Sequence, residues 1–239
     1  MQLPGLSEGY ILQPKLFSAS RPCRVVILVS GRGSNMQALV QAASRQAMPV
    51  QVCAVISNQM DAPALQWARE QGLRTASLPH RNYQSREQFD EALANEIEAH
   101  EPDYVLLAGF MRVLTDGFVR RFHGRLINIH PSLLPAFPGL NTHRRALDAG
   151  VAWHGCTVHF VTPEVDEGPI IAQWAVPVLA NDNEETLAMR VLQSEHRLYA
   201  QVLSWLTQGR VSLDALGKVY LTDVGCRSFA STPNEQDAA

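Results

Sequence analysis

At 239 residues and 46% hydrophobic content, the chain is long enough to bury one sizeable core, and its length argues for one domain rather than two small ones. A net charge of −3 without a basic run gives no electrostatic footprint for nucleic acid or an anionic membrane surface. Cys23, Cys53, Cys156 and Cys226 lack CxxC or Cys/His spacing, which argues against a disulfide framework or a zinc site and fits a reducing, cytoplasmic setting.

Residues 1–22 have no basic start and no continuous apolar run, so they do not read as a signal peptide, and no stretch is long enough to span a bilayer. The body then alternates short β-branched runs with helical patterns. RVVILVS (24–30) is a continuous apolar run, as in a strand buried on both faces. GRGSN follows, and Met36, Leu39, Val40 and Ala43 recur at helical spacing. VQVCAVISN (50–58) reads as a strand, APALQWAREQG (62–72) as a helix ending at glycine, and RTASL (74–78) as a third strand. Ser85 with Gln88 three residues on is a capping-box signature opening a helix striped by Phe89, Ala92, Leu93 and Ile97. Strands are predicted at 104–110 and 125–130, giving a β-α-β-α order that implies an open, mostly parallel sheet covered by helices.

After Gly150 the order changes. HGCTVHFVT (154–162) and IIAQWAVPV (170–178) are joined by a loop alone, which predicts an antiparallel pair, and a long helix over about 184–208 closes the body. The domain reading is an N-terminal extension at 1–22, a single α/β domain at 23–223 and a flexible tail at 224–239.

Two places in this order could carry chemistry. Gly31 and Gly33 let the backbone approach a ligand, and Ser34 and Asn35 stand where a helix N-terminus offers unpaired N–H groups. A Walker loop would need GK[ST], which is absent. A dinucleotide fingerprint would need glycine at Met36 and an acid where Ser57 and Asn58 end the second strand. A phosphate on a small substrate fits better. INIHPSLLP (127–135) is the second place: Asn128 and His130 are two apart on a strand, so they share a face, and Pro131 and Pro135 stop the strand.

In a parallel sheet that strand end lies on the same edge as the glycine loop, where such folds bind ligands. A carboxylate partner for His130 is available in TPEVDEGP (162–169) as Glu164, Asp166 or Glu167, and spacing does not choose among them. Glu195 falls inside the apolar stripe of the last helix with Val191, Leu198 and Val202, and so pairs structurally or reaches into a pocket. His159 in TVHFV reads as a satisfied strand histidine, and Arg86 and Arg112 as surface charges.

SGRGSN, LAGFMRVLT, INIHPSLLPAFPGLNTH and GCTVHFVTPEVDEGPII stand here in an order and spacing that resembles the phosphoribosylglycinamide formyltransferases, folate-dependent enzymes of purine synthesis, over about residues 24–220. The resemblance implies a Rossmann-like formyltransferase fold, with an antiparallel C-terminal strand pair and a long C-terminal helix. It implies catalysis by Asn128, His130 and Asp166. Gly33, Ser34, Asn35, Met36 and Gln37, with Glu195, would bind the phosphoribosyl substrate. Arg86, Met111, Arg112, Val113, Leu114, Asn128 and Val165 would meet the cosubstrate 10-formyltetrahydrofolate. Ser132 would be structural, and nothing calls for a metal. One departure is Arg32, where relatives often carry a small or amide residue.

The implied reaction is direct attack of the glycinamide amine on the formyl carbon. Asn128 would hold the oxyanion, His130 would add charge to it, and Asp166 would orient His130. Small molecules would be the partners of a monomer or homodimer. Rival readings are a hydrolase of 10-formyltetrahydrofolate with water as acceptor, and a non-catalytic nucleotide-sugar binding module.

Overall fold

The computed structural model describes residues 10–232. The sequence patterns become β1 (Tyr10–Leu12), β2 (Cys23–Val29), α1 (Ser34–Arg45), β3 (Val50–Ser57), α2 (Pro63–Glu70), β4 (Thr75–Ser77) and α3 (Arg86–Glu98). They continue as β5 (Tyr104–Leu107), α4 (Asp116–Arg121), β6 (Leu126–His130), α5 (Thr142–Asp148), β7 (Trp153–Phe160) and β8 (Ile170–Pro177). The chain ends with α6 (Glu184–Thr207), β9 (Val211–Asp214), β10 (Val219–Leu221) and β11 (Ser228–Ala230).

Eight strands form the main sheet in the order β11-β8-β7-β6-β5-β2-β3-β4. β4, β3, β2, β5 and β6 run parallel, whereas β7 pairs antiparallel with both β6 and β8, and this is the open, mostly parallel sheet with an antiparallel pair that the sequence predicts. Strand alternation assigns each side of the sheet its own core. Val25, Ile27 and Val29 meet Met36 and Leu39 of α1 and Leu198 and Val202 of α6, while Val26 and Leu28 meet Phe89, Leu93 and Ile97 of α3 and Phe118 of α4.

The chain leaves β2 toward β3 on one side, and β5 leads toward β6 on the other. The loops following β2 and β5 therefore diverge and open a crevice at the carboxyl ends of the strands, the usual ligand position in such sheets.

The helix starts follow the sequence with one shift. The Ser85 hydroxyl accepts from Gln88 N–H at 3.2 Å, as the capping signature predicts. The Gln88 side chain, however, accepts from Gln84 N–H rather than from Ser85. α6 has a complete capping box between Asn183 and Thr186.

The strand expected at 104–110 stops at Leu107. Gly109 turns at φ 76°, and Ser30 holds the following segment by its own N–H to Gly109 O at 3.1 Å and by its hydroxyl to Met111 N–H at 2.8 Å. Residues 108–115 thus become a wall of the crevice instead of strand. The tail expected to be flexible from residue 224 contains β11, which pairs with β8 and stacks Phe229 on Trp174 at a ring separation of 5.0 Å. Within the N-terminal extension, β1 pairs with β9 and Leu12 enters the core, while residues 1–9 and 233–239 lie outside the described residues. Among the described residues no helix is long and apolar enough to cross a membrane.

Candidate active site

β6 delivers Asn128 and His130 on one face at its carboxyl end, and the antiparallel register sets Asn128 opposite His159 and His130 opposite Thr157 on β7. The prolines then force an irregular turn that a buried polar bracket fixes in place. Thr157 Oγ1 donates to Ser132 O at 2.7 Å and accepts from Leu134 N–H at 3.0 Å, and Gln173 donates to Leu134 O at 2.8 Å. The Ser132 hydroxyl donates to Ala136 O at 2.7 Å, a structural task that leaves it no nucleophilic role.

Asp166 ties two loops together. It stands at φ 59°, a left-handed conformation that Asp tolerates better than most residues, and its Oδ2 accepts from Gly139 N–H at 2.8 Å. The same oxygen lies 3.4 Å from His130 Nδ1, and Oδ1 lies 3.9 Å from His159 Nε2. Of the three acids in this loop, the fold brings Asp166 to His130. His130 is buried, with Nε2 at 3.1 Å from Phe137 O and Nδ1 turned toward the Asp166 carboxylate.

These groups line a cleft of about 600 Å³. Met111 (66% exposed), Val113 (55%), Leu140 (68%) and Val165 (50%) stand around it, so one end presents an apolar lip that suits a flat hydrophobic ligand. The other end is polar: Glu195 is buried and accepts from Asn35 Nδ2 at 2.6 Å. Burial pushes the Glu195 carboxyl above its ordinary range, and the Asn35 hydrogen bond opposes that. A second compartment of about 400 Å³, lined by residues 30–35, shares Asn35, Gly109 and Met111 with the first as common walls. There Gly33 caps α1 at φ 73° with no side-chain cap, leaving the first N–H groups of the helix for an anion.

Most predicted residues therefore converge, including Asn35, Arg112 and Leu114. Three do not line either cavity through their side chains. Met36 is fully buried in the core, Gln37 reaches back to Arg32 O at 3.4 Å, and Arg86 donates to Val113 O at 2.7 Å and so braces the wall. Conversely, Leu140, Asn141 and His143 line the cleft without having been singled out; their signal was the PGLNTH stretch that continues the histidine motif. Arg112 is not a plain surface charge either: its guanidinium sits 5.0 Å over the Phe89 ring.

Residues 23–203 match the formyl transferase family model. The chain is 48% identical over 189 residues to phosphoribosylglycinamide formyltransferase of Escherichia coli (strain K12), covering 79% of this chain and 89% of that protein. Its structure resembles glycinamide ribonucleotide transformylase 1 from Symbiobacterium toebii, with a TM-score of 0.81 and 44% identity, covering 84% of this chain and 95% of that one. A formyltetrahydrofolate deformylase from Pseudomonas syringae is similar at lower identity, 27%, with a TM-score of 0.79 and coverage of 86% of this chain and 67% of that one.

Proposed function

The chain belongs to the formyl transferase family, and from that premise we propose that it transfers the formyl group of 10-formyltetrahydrofolate to the amine of 5'-phosphoribosylglycinamide in purine synthesis. The observation that carries this reading is the division of the site: Asn128, His130 and Asp166 line a cleft with an apolar lip, and a second compartment at the glycine loop shares its walls. A hydrolase needs room for one organic substrate and water. Two adjoining compartments suit two organic substrates meeting at one carbon.

In this reading the pterin lies against Met111, Val113 and Val165, and the phosphate lies at the N-terminus of α1. The amine nitrogen attacks the formyl carbon, the carbonyl oxygen becomes an oxyanion, and the bond from carbon to N10 breaks as an amine proton passes to N10. Asn128 donates a hydrogen bond to the oxyanion, an interaction worth roughly 3–4 kcal/mol in comparable sites. His130 adds positive charge beside it. Its Nε2–H is engaged by Phe137 O at 3.1 Å, so the substrate oxygen must share or displace that bond. Asp166 holds the ring from the other side and is placed to relay the proton through water. The free thiols support a reducing compartment such as the cytosol.

The test is turnover with 10-formyltetrahydrofolate and glycinamide ribonucleotide, followed by folate absorbance, against the same mixture without the amine. His130→Ala and Asp166→Asn are expected to lower kcat by about 100-fold or more. Binding of the phosphorylated substrate should stay within about threefold, because the phosphate contacts lie in the other compartment. Equal loss of formyl with and without the amine, or near-normal transfer by both variants, overturns the reading.

A further inference from the structure

His159 is buried in β7 directly opposite Asn128, and its two ring nitrogens have different partners. Nδ1 is 2.8 Å from Phe160 O. A carbonyl only accepts, so Nδ1 carries the hydrogen. Burial pushes this imidazole below its ordinary value, which keeps the ring neutral and makes Nε2 a lone-pair acceptor. Nε2 is 3.3 Å from Asn128 Nδ2. The loop closes tightly over this arrangement at Gly168, where a Cβ would fall 1.7 Å from Phe160 O and 3.3 Å from His159 Nδ1.

The consequence falls on Asn128. An amide turned the other way would set its carbonyl oxygen against the Nε2 lone pair, two acceptors facing each other. We infer that His159 is a positioning residue for the transfer: its fixed tautomer orients the Asn128 amide, engaging one N–H and leaving the other to the formyl oxygen. The hydrogen-bond chain runs from Phe160 O through His159 to Asn128 and then to substrate. It begins in the backbone of the sheet, which makes the final donor as rigid as the strand pair itself. Asp166, 3.9 Å from Nε2, lies beside the chain and beyond hydrogen-bond distance from it.

The inference rests on the reaction proposed above, and two measurements on the full-length protein separate the two. Long-range 1H–15N spectra near neutral pH are expected to show, for the signal missing in His159→Gln, a neutral ring protonated at Nδ1. A ring protonated at Nε2 overturns the inference whatever the enzyme catalyses. Kinetics of His159→Leu and His159→Gln form the second measurement. Loss of the acceptor in the leucine variant is expected to lower kcat about 10–100-fold with KM for glycinamide ribonucleotide changed less than about twofold. The glutamine variant places an amide oxygen where Nε2 stood and should recover kcat to within about threefold of wild type.

Wild-type kcat in the leucine variant overturns the inference, as does a glutamine variant that melts like wild type yet is no faster than the leucine one. Should the leucine variant not fold, the glutamine variant and the spectrum still decide. A wild-type chain that transfers no formyl group overturns the functional reading, and the spectrum then reports on the hydrogen-bond chain alone.

Discussion

At Gly33 the backbone stands at φ 73°, and a Cβ there would lie 2.5 Å from the Cβ of Ala64. Only glycine satisfies both the left-handed turn and the approach of α2. Gly33→Ala is expected to cost about 1–3 kcal/mol and to raise KM for the phosphorylated substrate about tenfold or more, because the loop and the free N–H groups move together. Urea denaturation and steady-state kinetics check the two parts, and an alanine variant of normal stability and KM contradicts them. Arg32 is exposed on the same loop, and among the described residues no carboxylate lies within ion-pair distance of it. A cation beside a phosphate site acts at range and is screened by salt. Arg32→Asn should raise KM for that substrate about 2–5-fold at low ionic strength, a difference that shrinks in about 0.5 M salt.

α6 shows what one helix contributes. Glu195 and Tyr199 are four residues apart and so share a face, the first reaching Asn35 and the second the sheet. The Tyr199 hydroxyl, buried, lies 3.0 Å from Ile127 O and 3.3 Å from Leu107 O, bolting the helix to the end of β5 and to β6 one residue before Asn128. Removing that donor leaves two buried carbonyls without it. Tyr199→Phe is therefore expected to destabilise the fold by about 1–2 kcal/mol in a urea titration, with a modest loss of kcat. An unchanged unfolding midpoint would show that the hydroxyl is not the bolt. The apolar stripe at positions 191, 198 and 202 made the helix legible, whereas the partners of the two polar residues inside it were not.

Across the whole molecule, burial holds His143, His154, His159 and His196 below the ordinary histidine value, His154 down to about 4. The unfolded chain binds protons at these rings near pH 6.5 and the folded chain does not. Their contribution to stability is therefore complete above about pH 6.5 and is lost as pH falls toward about 4. Glu195, raised by burial, runs the opposite way and offsets part of the loss. The net expectation is lower stability, read as a lower Tm, at about pH 5 than at about pH 7.5, with His154 as the main contributor. Calorimetry at the two pH values tests it, and a Tm that rises or holds on acidification contradicts it. Below about pH 4 the lowered carboxyl of Asp182, which Arg190, the Leu179 N–H and Thr186 hold ionised against its burial, adds a further loss as it protonates.

Local pattern determined the strands at 24–30 and 50–58, the helix after Ser85, the antiparallel pair and the closing helix, because hydrophobic period and capping chemistry are written in neighbouring residues. It also put Asn128 and His130 on one face, since side chains alternate along any strand. What it left open depended on contacts between distant segments. β1 and β11 are three residues each, too short for a periodic signal, and exist only because β9 and β8 offer them edges. The choice of Asp166 over Glu164 and Glu167 came from the backbone turn at φ 59° and the Gly139 N–H, which aim one carboxylate at His130. His159 read as an ordinary strand histidine and is one on its Nδ1 side. Only the register of β7 against β6 gave its other nitrogen to Asn128, because which residues face each other across two strands is a property of their pairing and not of either strand alone.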